Sequence, residues 1–236
     1  MNESELSERT AEVRGAVAEA AGRVGRDPRG VDILPVTKGF PASIVRLVAA
    51  AGFVAVGENR VGEAEAKRAE LEQQAPPPVA WHMIGHLQRN KAARAVALFD
   101  RVDSVDSLRL ARRLATDVEA LDRGELPVLV QVNASGEAAK GGVEVAGAVD
   151  AVREIANLPR LRVRGLMTMA PFDAPEAELR AAFGRTRRCL EACRKEISGF
   201  DGSVLSMGMS GDFEIAVEEG ATQVRLGTAL LGERPR

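Results

Sequence analysis

Apolar residues recur along the chain in two patterns, one with helical spacing and one made of short β-branched runs. In the first segment, Leu6, Val13, Val17 and Val24 are separated by four or seven residues, which places them on one face of a helix. This spacing predicts a leading helix over residues 1–25. After it, eight short apolar runs predict strands at residues 31–36, 53–56, 80–84, 100–103, 127–133, 161–166, 203–205 and 222–226.

Stretches with helical periodicity separate the predicted strands. The clearest are 106–121, where Asp106 is the predicted N-cap, and 175–197. Eight strands and seven intervening helices are typical of an α/β protein built as a compact (β/α)8 TIM barrel. A doubly wound open sheet is the alternative, because it has the same alternation of strands and helices. The chain has no long linker, so we predict one domain over residues 1–236, with the barrel spanning 31–232.

The composition narrows the class of protein. Of the 236 residues, 45% are hydrophobic and 28% are charged, and the formal net charge is −2. The chain has no block of basic residues, which argues against nucleic-acid binding. No apolar run approaches the roughly 18 residues that cross a bilayer. The first ten residues, MNESELSERT, are unlike a secretory or transit signal, so we predict a cytoplasmic protein.

The content of lysine, tyrosine and cysteine limits the possible chemistry. The chain has no tyrosine, which excludes any mechanism that needs a tyrosine acid or base. Cys189 and Cys193 are four residues apart in a helical pattern, a spacing that does not allow an unstrained disulfide within a helix. Without nearby histidines they also make a poor metal site, so we predict no metal. The candidate amines are only five: Lys38, Lys67, Lys91, Lys140 and Lys195.

Lys38 follows the first predicted strand, within the segment ILPVTKGFP. Active sites of (β/α)8 barrels lie at the carboxyl ends of the strands. Because this strand is expected to be buried, desolvation should lower the pKa of the Lys38 amine and favour its neutral form. A neutral amine is what imine formation with an aldehyde requires. The alternative is a lysine that has merely reached solvent beyond the strand end.

Two segments rich in glycine and small hydroxyl residues follow the last two predicted strands, LSMGMSG at 205–211 and RLGT at 225–228. Their N–H and hydroxyl donors, with a helix predicted to start near Gly211, are typical of a phosphate site at this place in a barrel. Arg225 could face a pyridine nitrogen, which would stay unprotonated because arginine keeps its own proton. A phosphate site opposite a desolvated lysine predicts pyridoxal 5′-phosphate (PLP) as the cofactor.

Other candidate groups lie near the predicted strand ends. His86 could move protons, but the sequence identifies no carboxylate partner, so a polar residue on the surface is the favoured interpretation. His82, next to Trp81, is predicted to be a hydrogen-bonded core residue. Lys140 is either a second amine near the barrel mouth or a solvated loop residue. The other lysines fall in helical patterns and are predicted to be solvated: Lys67, Lys91 and Lys195.

Seven segments resemble, in order and spacing, the PLP homeostasis proteins (the YggS/PROSC family). The resemblance runs from about residue 31 to 232. Seven ordered motifs are far more specific than any one of them. The segments are ILPVTKGFP, GENRVGEAEAK, WHMIGHLQRNK, VLVQVNASGEAAKGGV, RGLMTMAPF, LSMGMSGDFEIAVEEG and VRLGTALLG.

This resemblance implies a single barrel like the N-terminal domain of bacterial alanine racemase, with PLP held as a Schiff base and no established reaction. Three motifs depart from the family pattern: Arg60 follows Gly-Glu-Asn where tyrosine is usual, His86 replaces a proline, and the C-terminal motif is reduced to LGERPR. The cofactor-binding residues that the resemblance implies are Lys38 for the Schiff base, Asn59 beside the cofactor, Arg225 at the pyridine nitrogen, Ser210, Gly227 and Thr228 on the phosphate, and Ser206 as a weaker phosphate candidate.

The favoured hypothesis is a protein of intracellular PLP homeostasis that supplies or buffers the cofactor, with transient contact to PLP-dependent apo-enzymes and a monomeric state. The alternative is a PLP-dependent amino-acid racemase. Against it, two-base racemisation in the alanine racemase family uses a tyrosine opposite the lysine, and this chain has none. A third possibility is a barrel that binds a sugar phosphate without PLP.

Overall fold

Parallel β-strands alternate with α-helices along the whole chain. The computed structural model describes residues 1–73, 76–137 and 141–234; Lys140 lies outside these ranges. The strands are β1 Asp32–Pro35, β2 Ala55–Glu58, β3 Ala80–Met83, β4 Arg101–Val105, β5 Leu126–Asn133, β6 Val143–Glu144, β7 Leu161–Met167, β8 Val204–Ser206 and β9 Gln223–Leu226. The helices are α1 Glu3–Arg23, α2 Ser43–Ala50, α3 Val61–Glu72, α4 Ala92–Leu98, α5 Leu108–Ala120, α6 Ala148–Ala156, α7 Glu176–Glu196, α8 Phe213–Glu218 and α9 Thr228–Leu231.

The sheet curls into a barrel. Its strands follow the order β1-β9-β8-β7-β5-β4-β3-β2, and the short β6 pairs with β5 outside this path. The two ends of the path meet where Val36 bridges Gly57 in parallel, and Thr37 N donates to the Gly57 carbonyl at 3.0 Å. The predicted (β/α)8 barrel is therefore confirmed, and the open doubly wound sheet is wrong.

The leading helix forms as predicted, and its start is fixed by a capping box between Asn2 and Glu5. Leu6, Val13 and Val17 are buried on the face that packs toward the barrel, where α1 contacts α8 and α9. Val24 is 45% exposed, because the helix ends at Arg23 and the chain turns away from that face. The periodicity therefore predicts the helix correctly, but it assigns Val24 to the buried face in error.

Two details of the helices differ from prediction. Helix α5 begins at Leu108 with Ser107 as its N-cap, since Ser107 Oγ accepts from Leu110 N at 3.3 Å. Asp106, the predicted cap, instead lies against a histidine at the barrel mouth. The short β6 and α9 are not predicted, because two and four residues are too few to carry a periodic signal.

Cys189 and Cys193 are buried free thiols on the inner face of α7, as predicted. Burial raises the pKa of the Cys193 thiol to about 11, which keeps it protonated at neutral pH. Within the described ranges, no cluster of three or more His, Cys, Asp or Glu side chains is arranged to hold a metal ion. Nor does any helix of these ranges have the length and apolar character needed to cross a bilayer.

Candidate functional site

A cavity of about 670 Å³ lies at the carboxyl ends of the barrel strands. It receives side chains and backbone from the segments that follow β1, β2, β8 and β9, because parallel strands all end at the same rim. The structure thus gathers residues that are nearly 200 positions apart in sequence. All six residues predicted for cofactor binding line it: Lys38, Asn59, Ser210, Arg225, Gly227 and Thr228.

The Lys38 amine has the character predicted from sequence. Lys38 is half-buried at the cavity wall, and burial is the largest cause that lowers its pKa below the ordinary value for lysine. The positive charges of Arg234 and Arg225 lower this pKa further, whereas Glu58 and Glu63 act in the opposite direction. Because the neutral form is the nucleophile, this environment favours reaction with an electrophile.

Lys67, predicted to be solvated, is buried, with only 6% of its surface exposed. Its Nζ donates to the Thr37 carbonyl at 2.7 Å, to Glu58 Oε1 at 2.6 Å and to Glu63 Oε1 at 2.8 Å. The ammonium therefore finds an acceptor for each of its three donors, which offsets its desolvation. In the sequence, the spacing of four residues between Glu63 and Lys67 indicates that these two side chains can pair on one helix face.

The two loops predicted to bind an anion lie side by side. Ala229 N donates to Ser210 Oγ at 3.1 Å, and Arg225 N donates to the Gly208 carbonyl at 3.0 Å. These bonds join the loop after β8 to the end of β9. No hydrogen bond within the described ranges uses the backbone N–H of Ser210, Gly211, Gly227 or Thr228. The rim therefore offers several donors to an anion, as the sequence predicts.

Asp212 is a feature of this rim that the sequence pattern does not predict. Helix α8 begins at Phe213, two residues after Gly211 and close to the predicted start, and Asp212 occupies its N-cap position. The Asp212 side chain accepts from Met209 N at 2.5 Å, so one predicted anion donor is already used. Burial raises the pKa of the Asp212 carboxyl above its ordinary value, whereas the bond from Met209 N acts in the opposite direction.

Arg225 is buried inside the barrel at 4% exposure and points to the cavity. Its Nη1 donates to Ser206 Oγ at 2.9 Å, and its Nη2 donates to the Thr168 carbonyl at 2.9 Å. Burial lowers the pKa of Arg225 to about 10, so the guanidinium stays charged at neutral pH. Ser206 is fully buried and is not part of the cavity lining, so this weaker phosphate candidate orients Arg225 instead.

His86 also lines the cavity, and it does have a carboxylate partner. Its Nδ1 lies 3.0 Å from Asp106 Oδ2, although the side chain is 70% exposed. The two residues follow neighbouring strands, β3 and β4, and such a pairing across strands is not visible in the sequence. The cavity mouth further includes Phe172, which is 90% exposed, and Arg234 near the C-terminus.

A second cavity of about 660 Å³ lies at the opposite, amino end of the barrel, and none of the predicted cofactor residues lines it. His82 borders this cavity and is buried as predicted. However, its Nδ1 has no hydrogen bond within the described ranges and lies 4.0 Å from Asp103 Oδ2. Burial lowers the pKa of His82 to about 4, so the ring is neutral at physiological pH.

Protonation of His82 should destabilise the protein in mild acid. Between pH 6.5 and about 4 the unfolded chain binds a proton at this residue while the folded protein does not, so stability falls as the pH falls. A pKa difference of this size corresponds to about 3 kcal/mol. In the variant His82→Gln, urea unfolding across this range should show a correspondingly smaller loss of stability. The exposed His86→Gln serves as the control, and equal pH slopes in both variants would contradict the assignment.

Comparison with known proteins agrees with this geometry. Residues 17–235 match the sequence profile of the alanine racemase N-terminal domain. Over 231 residues, 98% of the chain, the protein is 43% identical to the pyridoxal phosphate homeostasis protein of Pseudomonas aeruginosa, of which 96% is covered. The Escherichia coli protein of the same name is 36% identical, with 98% of this chain and 97% of that protein covered. The chain belongs to the pyridoxal phosphate homeostasis protein family.

Solved structures extend the comparison within this family. PipY of Synechococcus elongatus, determined with PLP bound, superposes with a TM-score of 0.82 at 36% identity, covering 96% of this chain and 100% of PipY. An alanine racemase of Clostridium difficile has a TM-score of 0.73 at 14% identity, with 99% of this chain and 57% of the racemase covered. The likeness to the racemase therefore concerns the fold alone, whereas the likeness to PipY is a family relationship.

Proposed function

We propose that this protein binds PLP through Lys38 and takes part in intracellular PLP homeostasis, supplying or buffering the cofactor. The observation that carries the proposal is the convergence, in one cavity, of an amine with a lowered pKa and a rim of anion donors. These are the two features needed to hold an aldehyde that carries a phosphate. The names of the relatives and the PLP in PipY support the same cofactor.

The residues present fit this cofactor. Ser210, Gly227 and Thr228 supply hydroxyl and backbone donors at one side of the cavity, where a dianionic phosphate would be held. Lys38 supplies the amine, and Asn59 lines the wall beside it. Bound PLP supplies an electrophilic aldehyde carbon and a conjugated ring that can act as an electron sink.

The groups that hold Arg225 affect how strong an electron sink bound PLP would be in this protein. Ser206 and the Thr168 carbonyl hold the guanidinium in one orientation, with its charge retained. Placed at the pyridine nitrogen, such a cation would keep that nitrogen unprotonated, because arginine does not give up its proton. A carboxylate there would protonate the nitrogen and give a stronger electron sink, although arginine partners also occur in PLP enzymes. Arg225 therefore weakens the electron sink, and the absence of tyrosine is what argues against two-base racemisation.

The test of this proposal distinguishes the contribution of the phosphate to binding from the contribution of the aldehyde. In the double variant Ser210→Ala, Thr228→Val, loss of two hydroxyl donors should weaken PLP binding by about 100-fold or more, since a hydrogen bond to a charged group contributes at least about 1.5 kcal/mol. Residual binding should remain, because the backbone donors are unchanged. Affinity for pyridoxal, which lacks the phosphate, should change by less than about threefold. Both are measured by titration followed by absorbance.

Equal losses for PLP and pyridoxal would contradict the phosphate assignment. A wild-type protein that binds a sugar phosphate but ignores PLP would favour the third hypothesis. Rapid exchange of an amino acid α-hydrogen in deuterated water would support the alternative hypothesis of a racemase. A cytoplasmic location, a monomeric state and transient contact with PLP-dependent apo-enzymes belong to the same proposal, and the balanced charge of −2 is compatible with them.

A further inference from the structure

Three charged side chains form hydrogen bonds to the residues on either side of Lys38 and so hold the turn that carries it. Before Lys38, Thr37 Oγ1 donates to Glu58 Oε1 at 2.6 Å and the Thr37 carbonyl accepts from Lys67 Nζ at 2.7 Å. After it, Gly39 N donates to Glu63 Oε1 at 2.5 Å. We call Glu58, Glu63 and Lys67 the Lys67 cluster.

We propose that the Lys67 cluster positions the reactive amine of Lys38. Its members are positioning residues, since they act on Lys38 through the backbone of its neighbours. Nothing in the proposed binding of PLP uses these three side chains directly. The inference rests on the proposed function only in naming what Lys38 reacts with.

The cluster is built rigidly enough for this task. Glu58 is fully buried and the Lys67 side chain is 7% exposed, so water does not compete effectively for their hydrogen bonds. Each ammonium proton of Lys67 has its own acceptor, and two of the three acceptors lie on different elements, β2 and α3. The third is the backbone of the turn itself. A shift of the turn would therefore break bonds to both elements at once.

The cluster also acts on the charge of Lys38. The charges that act on the amine are those of Arg234 and Arg225, which lower its pKa, and those of Glu58 and Glu63, which raise it. Removing Glu63 thus has two consequences, the loss of a negative charge and the loss of the acceptor that Gly39 N and Lys67 Nζ share. Two substitutions separate them, because Glu63→Gln removes only the charge, whereas Glu63→Ala removes both.

The experiment labels lysines in the PLP-free protein with a trace of acetic anhydride across a pH series, with Lys195, exposed on α7, as internal reference. Mass spectrometry then gives the pKa and reactivity of Lys38. If the turn is released in Glu63→Ala, the amine reaches water and its pKa rises above that in Glu63→Gln. We expect labelling of Lys38 near neutral pH to be slower in Glu63→Ala than in Glu63→Gln, on the order of threefold.

A matched control lies two residues along the same helix. Glu65 pairs with Arg94 and does not touch the turn, so Glu65→Ala should keep the wild-type profile of Lys38. Hydrogen exchange at the Gly39 amide gives a second readout: protection should be lost in Glu63→Ala and retained in Glu63→Gln. Superimposable Lys38 profiles in the two Glu63 variants, or a Glu65→Ala profile like that of Glu63→Ala, would overturn the inference. Neither result depends on whether the protein binds PLP.

Discussion

Alanine at position 208 is expected to destabilise the protein by about 3 kcal/mol and to abolish PLP binding under conditions where the wild type is saturated. Gly208 has φ +93°, a conformation that costs a residue with a Cβ about 1–3 kcal/mol. An added Cβ would also lie 2.6 Å from Ala216 Cβ and 3.0 Å from Phe213 Cα, both in α8. Helix α8 must then move, with a further cost of overpacking of about 1–3 kcal/mol.

The loss of binding follows from the position of Gly208 in the rim. Its carbonyl accepts from Arg225 N, and the loop it begins carries Ser210, which is bonded to Ala229 N. Displacing this loop separates the donors that follow β8 from the donors that follow β9. Gly211 is a control in the same loop, because a Cβ there meets nothing within 4 Å and its φ is not positive.

Urea unfolding and PLP titration of both variants test this prediction. Gly211→Ala should stay within about 0.5 kcal/mol of the wild type, the range usual for substitutions without packing conflict. Equal stability of Gly208→Ala and Gly211→Ala would show that the packing of the loop against α8 does not constrain residue 208.

The strands and the cavity could be predicted because they depend on local signals and one topological rule. Short β-branched runs mark the strands, and the carboxyl ends of parallel strands share one rim. That rule alone places Lys38, Arg225 and Ser210 in one cavity, as the structure confirms. The resemblance to a family then added Asn59, whose position at the end of β2 carries little chemical signal by itself.

The remaining features depend on contacts between elements that a pattern along the chain does not record. The sequence pattern predicts that Lys67 is a solvated helical lysine. Its burial results from the packing of β1, β2 and α3 against one another, which the pattern does not show. His86 and Asp106 follow different strands, so their pairing depends on strand order. Arg234 is nearly 200 residues from Lys38, yet its charge acts on the same amine.

Replacing Lys38 by alanine should abolish the covalent attachment of PLP completely. The other described amines are poor substitutes, because Lys67 is saturated with hydrogen bonds while Lys91 and Lys195 are exposed outside the cavity. Affinity for PLP should fall by about 100-fold, which corresponds to about 3 kcal/mol. Residual binding through the phosphate donors should remain, and phosphate should compete for it.

The measurement for this variant is the visible absorbance of protein titrated with PLP, together with the retained PLP after gel filtration. Lys195→Ala is the control, since it removes an exposed amine on α7 and should bind PLP like the wild type. A Lys38→Ala protein that retains the visible band at full occupancy would show that another group holds the cofactor.

The most direct test is to locate the attachment. Wild-type protein loaded with PLP is reduced with borohydride, digested and analysed by peptide mass spectrometry, with each of the five lysines scored separately. We expect the phosphopyridoxyl mass on the peptide containing Lys38, at close to one per chain. The same mass on Lys140 or another lysine with Lys38 unmodified, or no stable addition at all, would contradict this expectation.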